Sequence, residues 1–181
     1  MEYSINVVLT DKDYDEFDEF TMKHVPETKR MIRVARWSFV AVVAVAASFP
    51  LFAGNFAASA WINVIPHALI LLVYQLLMIP TVRVVSKQQR KKLQKAGGAL
   101  YAPSSVMKFF DDHFCEITAE SKTDHTYAAV KAVSVVGAEK AYIHLNGMLA
   151  YIVPASAFAS PLEFVQWLAF IKTKCTSVTQ Y

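Results

Sequence analysis

Five glycines and two cysteines in 181 residues set the first limits. Two cysteines cannot staple a small secreted scaffold, and in a reducing cytosol Cys115 and Cys175 read as free thiols. With glycine this scarce there is no Gly-rich phosphate loop, and no Gly-x-Ser-x-Gly nucleophile turn occurs. None of the five histidines, His24, His67, His113, His125 and His144, stands at metal-ligand spacing from a Cys, a His or a carboxylate on a helix. The largest absence is charge. From Trp37 to Val82, 46 residues pass without one Asp, Glu, Lys or Arg. The other 135 residues carry all 33 charges, or 24%, the ordinary value for a soluble domain. A soluble-type chain is therefore interrupted by one long apolar insert, which excludes a simple soluble enzyme and a disordered acidic or basic protein.

As a single helix the insert would be about 69 Å long, far more than the roughly 30 Å of a bilayer's hydrocarbon core. Two membrane spans with a turn fit instead: Val34 to Ala53, then Trp61 to Val82. Gly54-Asn55 is the expected turn, and Trp37, Phe56 and Trp61 fall near the ends, where interfacial aromatics belong. Neither segment has the polar face that a helical hairpin in a soluble core needs. Ten of the 18 basic residues flank the insert: Lys29, Arg30, Arg33 and Arg36 before it, and Arg83, Lys87, Arg90, Lys91, Lys92 and Lys95 after it. The loop Gly54 to Ala60 carries no charge. By the positive-inside rule both termini lie in the cytoplasm. His67 and Gln75 read as inter-helix hydrogen-bonding groups, and Ala41, Ala44 and Ala47-Ser48 as the small-residue face for helix packing.

Before the spans, in residues 1–33, Tyr3, Ile5, Val7 and Leu9 alternate as on a strand. Thr10 is placed to cap a helix from Asp11, whose first-turn acids suit the positive end of the helix dipole. Tyr14, Phe17, Phe20 and Thr21 make one stripe, expected to pack on the C-terminal domain or on a partner. Residues 1–28 hold eight acids against two lysines, which argues against adsorption of this stretch to an anionic leaflet.

After the spans, residues 83–98 read as a basic juxtamembrane continuation of the second helix, stopped by Gly97-Gly98. Arg83, Lys87, Arg90, Lys91, Lys92 and Lys95 are the candidate contacts for anionic lipid. No aromatics interleave with them, so nucleic acid is not an expected partner. From residue 99 to 181 the pattern turns to short strands. Val106–Phe110 and Phe114–Thr118 read as a hairpin about Asp111-Asp112-His113. Tyr127–Val130, Val133–Val136, Ala141–Leu145 and Leu149–Val153 are further expected strands, with turns at Gly137 and Asn146-Gly147. Pro154 ends the last of them. Ser160-Pro161 then opens a helix with Phe164, Trp167, Leu168 and Ile171 on its apolar face. The closest approach to a reactive cluster is Asp111, His113 and Cys115, with no orienting group assured.

Three stretches carry a family resemblance: Thr10-Asp-Lys-Asp-Tyr-Asp-Glu-Phe17, Asp111-Asp-His-Phe-Cys-Glu-Ile-Thr118, and Ala141-Tyr-Ile-His-Leu145 leading through Tyr151-Ile-Val-Pro-Ala-Ser-Ala-Phe158. The chain resembles the YcxB-like bacterial membrane proteins over nearly its whole length. It departs from them at Tyr127-Ala-Ala-Val130, where the family has a Trp-Ser-Asp-like stretch, and at Ala155-Ser156, where the family favours a basic residue. The resemblance implies an α+β membrane protein: a two-helix transmembrane hairpin carrying a small antiparallel, pleckstrin-homology-like (PH-like) β domain capped by a C-terminal helix. The expected function is non-enzymatic, without a cofactor or metal. It is that of an inner-membrane protein presenting a cytosolic interaction domain at the bilayer, with the lipid bilayer, an unidentified protein or a second copy as partners. The expected contact surfaces are an exposed strand edge and the groove beside the C-terminal helix. A membrane-anchored immunity-type protein that neutralises a toxin is the alternative.

Overall fold

Residues 2–52, 60–95, 104–146 and 149–181 are described in the computed structural model. Among the described residues four α-helices and eight strands form two compact units, one of residues 22–88 and the other of residues 1–21 with 89–181.

The second unit is built on two four-stranded sheets. In the first, β1 (Tyr3–Val8), β2 (Ser104–Phe109), β3 (His113–Ile117) and β4 (Lys122–Thr126) lie in chain order and run antiparallel. The alternation in β1 buries Ile5 and Val7, and its register, Tyr3 opposite Phe109, seats an N-terminal strand beside one about 100 residues later. The expected hairpin about Asp111-Asp112 is present, with Phe109 opposite Phe114. In the second sheet, β5 (Ala132–Val136), β6 (Lys140–His144) and β7 (Ala150–Pro154) run antiparallel, and β8 (Val178–Gln180) lies parallel to β5. Gly137, at φ +55°, turns the chain from β5 into β6, a conformation that favours glycine. Gly147 lies outside the described residues.

Helix α4 (Pro161–Lys174) forms as the sequence predicts. Pro161 sits at its start, and the Glu163 amide donates to Ser160 Oγ, a cap that satisfies one free end amide. It buries Phe164, Trp167, Leu168 and Ile171 in a core shared with Phe109, Phe114, Val133, Ile143 and Val153. Trp167 is fully buried, its ring 5.3 Å from those of Phe109 and Phe158.

Helix α1 (Asp11–His24) begins at Thr10, whose amide and hydroxyl both donate to Asp13 Oδ2. Its stripe packs on the face of the second sheet turned away from the main core. Phe17 and Phe20 lie 5.0 and 4.9 Å from the Tyr142 ring, with Ile152 beside them. That second cover explains why all five residues of β6 are buried. Ala141 and Ile143 face the main core, while Lys140, Tyr142 and His144 alternate toward α1.

Two strand expectations are corrected. Residues 127–129 form a 3₁₀ turn, because the buried Tyr127 donates its hydroxyl to the Phe110 carbonyl (2.9 Å) and pulls the chain out of the sheet. The strand lies just before it, in β4, a polar edge segment without an apolar face to announce it. Pro154 ends β7 but not the last strand. β8 follows α4, joined to β5 through Val133 N–H to Ser177 O and Tyr181 N–H to Val135 O, both 2.8 Å.

The first unit is a pair of helices, α2 (Pro26–Phe52) and α3 (Ala60–Lys95). Segments Pro26–Ser48 and Ile65–Gln88 are each long and apolar enough to cross a membrane, and among their described side chains only Val43 and Met78 are buried. Val42, Val45, Leu69, Leu72, Leu76 and Leu77 are all more than half exposed. Pro66 and Pro80 sit inside α3 without ending it. The helices meet through a stack of Phe39 on Tyr74, 3.7 Å between centroids, with Val43 and Met78 buried along the same seam. The seam is therefore large and aromatic. Ala41 and Ala44, expected as a packing face, are exposed, because they point away from the stripe that runs through Phe39 and Val43. The expected turn Gly54-Asn55, Phe56 and the helix stop at Gly97-Gly98 lie outside the described residues, as does the Trp61 side chain.

Candidate functional site

The basic residues after the apolar stretch all lie on α3, which continues to Lys95 without a break. At 100° per residue, Arg83, Lys87 and Lys91 share one broad face, while Lys92 projects from the opposite side. Arg83, Lys91 and Lys92 are exposed and Lys87 is half-buried. The side chains of Arg90 and Lys95 lie outside the described residues. A helix turn rises about 5.4 Å, so this strip is an elongated row of positive charge along one side of α3.

A second cluster joins α1 to β6. Lys140, only 10% exposed in its side chain, donates to Asp13 Oδ1 at 3.4 Å and to Glu16 Oε2. Lys12 adds a contact to Glu16 at 3.6 Å. Asp13 and Glu16 are three residues apart and so face β6 together, one turn before Phe17 and Phe20. Burial would raise the Asp13 carboxyl, but hydrogen bonds from Thr10 and the charge of Lys140 outweigh it and hold the group below its ordinary value. Lys140's hydrogen bond lowers Glu16. Burial disfavours the Lys140 ammonium, yet its two acids hold its pKa above the ordinary value. The arrangement is a clasp, stable as an ion set across neutral pH.

A third cluster lines a cavity of about 20 Å³, room for a single water, between β1, β2, β3, β7 and the start of α1. Leu9, Tyr14 and Ile152 supply its apolar wall, and Ser105, Glu116 and Tyr151 its polar one. Glu116 is hydrogen-bonded by Ser105 and Tyr151, but burial prevails and raises its carboxyl above the ordinary value. Burial also raises the Tyr151 hydroxyl, as does the Glu116 charge. His125 Nε2 lies 2.9 Å from Tyr151 Oη. Burial lowers His125, so its neutral form is favoured. The Tyr151 hydroxyl donates toward Glu116, which leaves its oxygen to accept from His125 Nε2–H. The hydrogen bonds run from His125 to Tyr151 and from Tyr151 to Glu116, whose carboxyl also accepts from Ser105. With Ser105 this row spans four strands of two sheets, and no spacing in the sequence draws it together.

The sequence cluster Asp111, His113 and Cys115 is not assembled. His113 Nδ1 pairs with Asp112 at 2.6 Å, Asp111 with Lys174 at 3.3 Å, and Cys115 is buried. Cys115 and Cys175 are both free thiols, and burial raises the Cys175 group. Among the described residues no three His, Cys, Asp or Glu side chains converge as metal ligands. His67 and Gln75 are half-buried on the hairpin. Compared with known protein families, curated proteins and solved structures, the chain finds no match.

Proposed function

We propose that this chain is a non-enzymatic integral protein of the bacterial inner membrane, whose α2–α3 hairpin holds a PH-like interaction domain at the cytoplasmic face. The observation that carries the reading is the outward apolar surface of both helices, with one buried side chain among those described in each of the segments of 23 and 24 residues. Exposed to water, side chains such as Leu69, Leu72 and Leu76 would cost on the order of 25 cal/mol per Å². Lipid removes that cost. The apolar part of α3, Trp61 to Val82, rises about 33 Å, which matches the hydrocarbon thickness.

Orientation follows from the basic flanks. The strip on α3 and Lys29 to Arg36 on α2 carry the positive charge that stays on the cytoplasmic side. Arg83, Lys87, Arg90, Lys91, Lys92 and Lys95 would then lie where anionic headgroups concentrate, each attracted by about 1 kcal/mol. A protein partner has the edge of β4 and the groove beside α4 to engage, by strand addition or helix docking. The Lys122–Asp124 pair, 3.1 Å apart on β4, blunts that edge against indiscriminate pairing.

Reporter fusions test the reading. A fluorescent protein at the C-terminus should be bright, and alkaline phosphatase within Gly54 to Ala60 should be active. An active phosphatase fused at the C-terminus would overturn the orientation and make an outward-facing domain the better hypothesis.

A further inference from the structure

The β domain is not continuous in the chain. Its unit takes residues 1–21 and 89–181, and the helical unit, residues 22–88, is inserted between them. The two pieces interlock residue by residue. β1 pairs with β2 from Tyr3 opposite Phe109 to Val8 opposite Ser104. The pairing is antiparallel, so the chain leaves β1 and enters β2 at the same end of the pair, Val8 beside Ser104. β1 and β2 are thus the two arms of one hairpin. Where a hairpin ordinarily has a turn of about two to five residues, this one has residues 9–103, both apolar helices included.

The N-terminal piece contributes to both sheets. β1 puts Ile5 and Val7 into the main core, opposite Met107 and Ser105. α1 lays Tyr14 and Phe20 on Tyr142 and Ile152, on the face of the second sheet turned away from that core. Lys140 of β6 finds its two acids, Asp13 and Glu16, on the same piece. Without residues 1–21, β2 would become the edge of the first sheet. That edge would offer unpaired backbone groups beside Val106, Met107 and Phe109, a template for pairing with other chains. Tyr142 and Ile152 would lose their cover, and Lys140 would lose both carboxylates.

In a membrane, residues 1–21 can reach β2 and β6 only from the side on which those strands lie. When both α2 and α3 cross, the two pieces share a side. When one crosses, about 30 Å of hydrocarbon separates them, and a polar segment cannot pass through it. This requirement owes nothing to the basic flanks, and it holds whichever side the domain occupies. We propose that the fold makes completion of the β domain conditional on passage of both spans: β1–α1 is a latch that closes on β2–β8 only when both ends of the helix pair lie on one side. A chain with one span across is left with its β2 edge open. The proposal rests on the membrane reading above and adds a checkpoint to it.

Span parity tests the latch. The full chain would be expressed in bacteria unaltered, with one span of about 20 leucines inserted after Gly98, and with two such spans in tandem. A parallel set would carry alkaline phosphatase at the C-terminus to report its side. Trypsin added to open membrane sheets would read cleavage within residues 104–181. One added span should switch the phosphatase on and speed that cleavage about tenfold or more. Two should switch it off and restore resistance. A body that stays resistant while the phosphatase is active folds without the latch and overturns the proposal. Sensitivity that the second span does not reverse also overturns it, because the insertion itself is then the cause. Resistance that follows the same parity with reversed phosphatase signals supports the latch and overturns only the inward orientation. Asn6→Cys/Val106→Cys, opposed in the β1–β2 register, reads the latch directly in a Cys115→Ala/Cys175→Ala background. Mild oxidation should join the pair in the chain with its own two spans, and failure to do so overturns the proposal. A chain that cross-links but is recovered from the soluble fraction overturns the membrane reading instead.

Discussion

Lys140→Met tests whether charge, and not only the aromatic contacts, holds α1 on the second sheet. The Lys140 side chain is 10% exposed, while those of Asp13 and Glu16 are 19% and 40% exposed. An exposed ion pair contributes about 0–1 kcal/mol, and breaking a buried one costs about 3–5 kcal/mol. Both carboxylates here regain water when the lysine is lost, so a value near 2 kcal/mol is expected, or about a 30-fold rise in opening. Hydrogen exchange on the full chain in micelles, followed over residues 11–21, reads that opening directly. Its pH dependence carries a sign. Asp13 and Glu16 lie below their ordinary values of 3.8 and 4.5, so their contribution is complete above those values. It is lost as pH falls through the lowered values in the fold. Lys140 lies above its ordinary 10.5, so its contribution is complete below that value and lost as pH rises through the raised one. The wild type and Lys140→Met should differ fully between about pH 5 and 10 and converge in acid, once pH has fallen through the lowered carboxyl values. Unchanged exchange in α1 at neutral pH, or a difference that persists in acid, refutes the clasp. The packing of Phe17 and Phe20 on Tyr142 would then be the whole attachment.

Two further perturbations probe the β domain. Glu116→Gln should stabilise it at neutral pH, because the raised carboxyl works against the fold once ionised. The gain should vanish below the ordinary 4.5, where both folded and unfolded chains hold the proton; thermal melts across that range check it. Trp167→Ala empties a fully buried site against Phe109 and Phe158 and should cost about 3–5 kcal/mol, read by hydrogen exchange in β2 and β5.

Where side-chain pattern and backbone demand coincide, the elements are legible in the chain. Thr10 with Asp13 and Ser160 with Pro161 announce the starts of α1 and α4, because a cap is a local interaction between neighbours. The charge-free run from Trp37 to Val82 announces two apolar helices for a similar reason: length and composition alone decide whether a helix can cross a bilayer. The polar strand β4 and the three-residue β8 are not legible. Neither has a buried face of its own, and each is held by backbone bonds to a neighbour that the rest of the fold positions. Tyr127 carries strand propensity, but its hydroxyl bond to Phe110 overrides it.

The sites divide along the same line. Sequence alone determined the cationic flanks, since charge counts need no coordinates. Only the tertiary structure decided what each charge faces. Lys140 reads as one more surface lysine until α1 folds over β6 and buries it between two acids. Glu116, Tyr151 and His125 come from three strands, and their bonding depends on how two sheets meet. Composition and local propensity are properties of neighbours in the chain, whereas desolvation and pairing are properties of neighbours in space, and those exist only once the chain has folded.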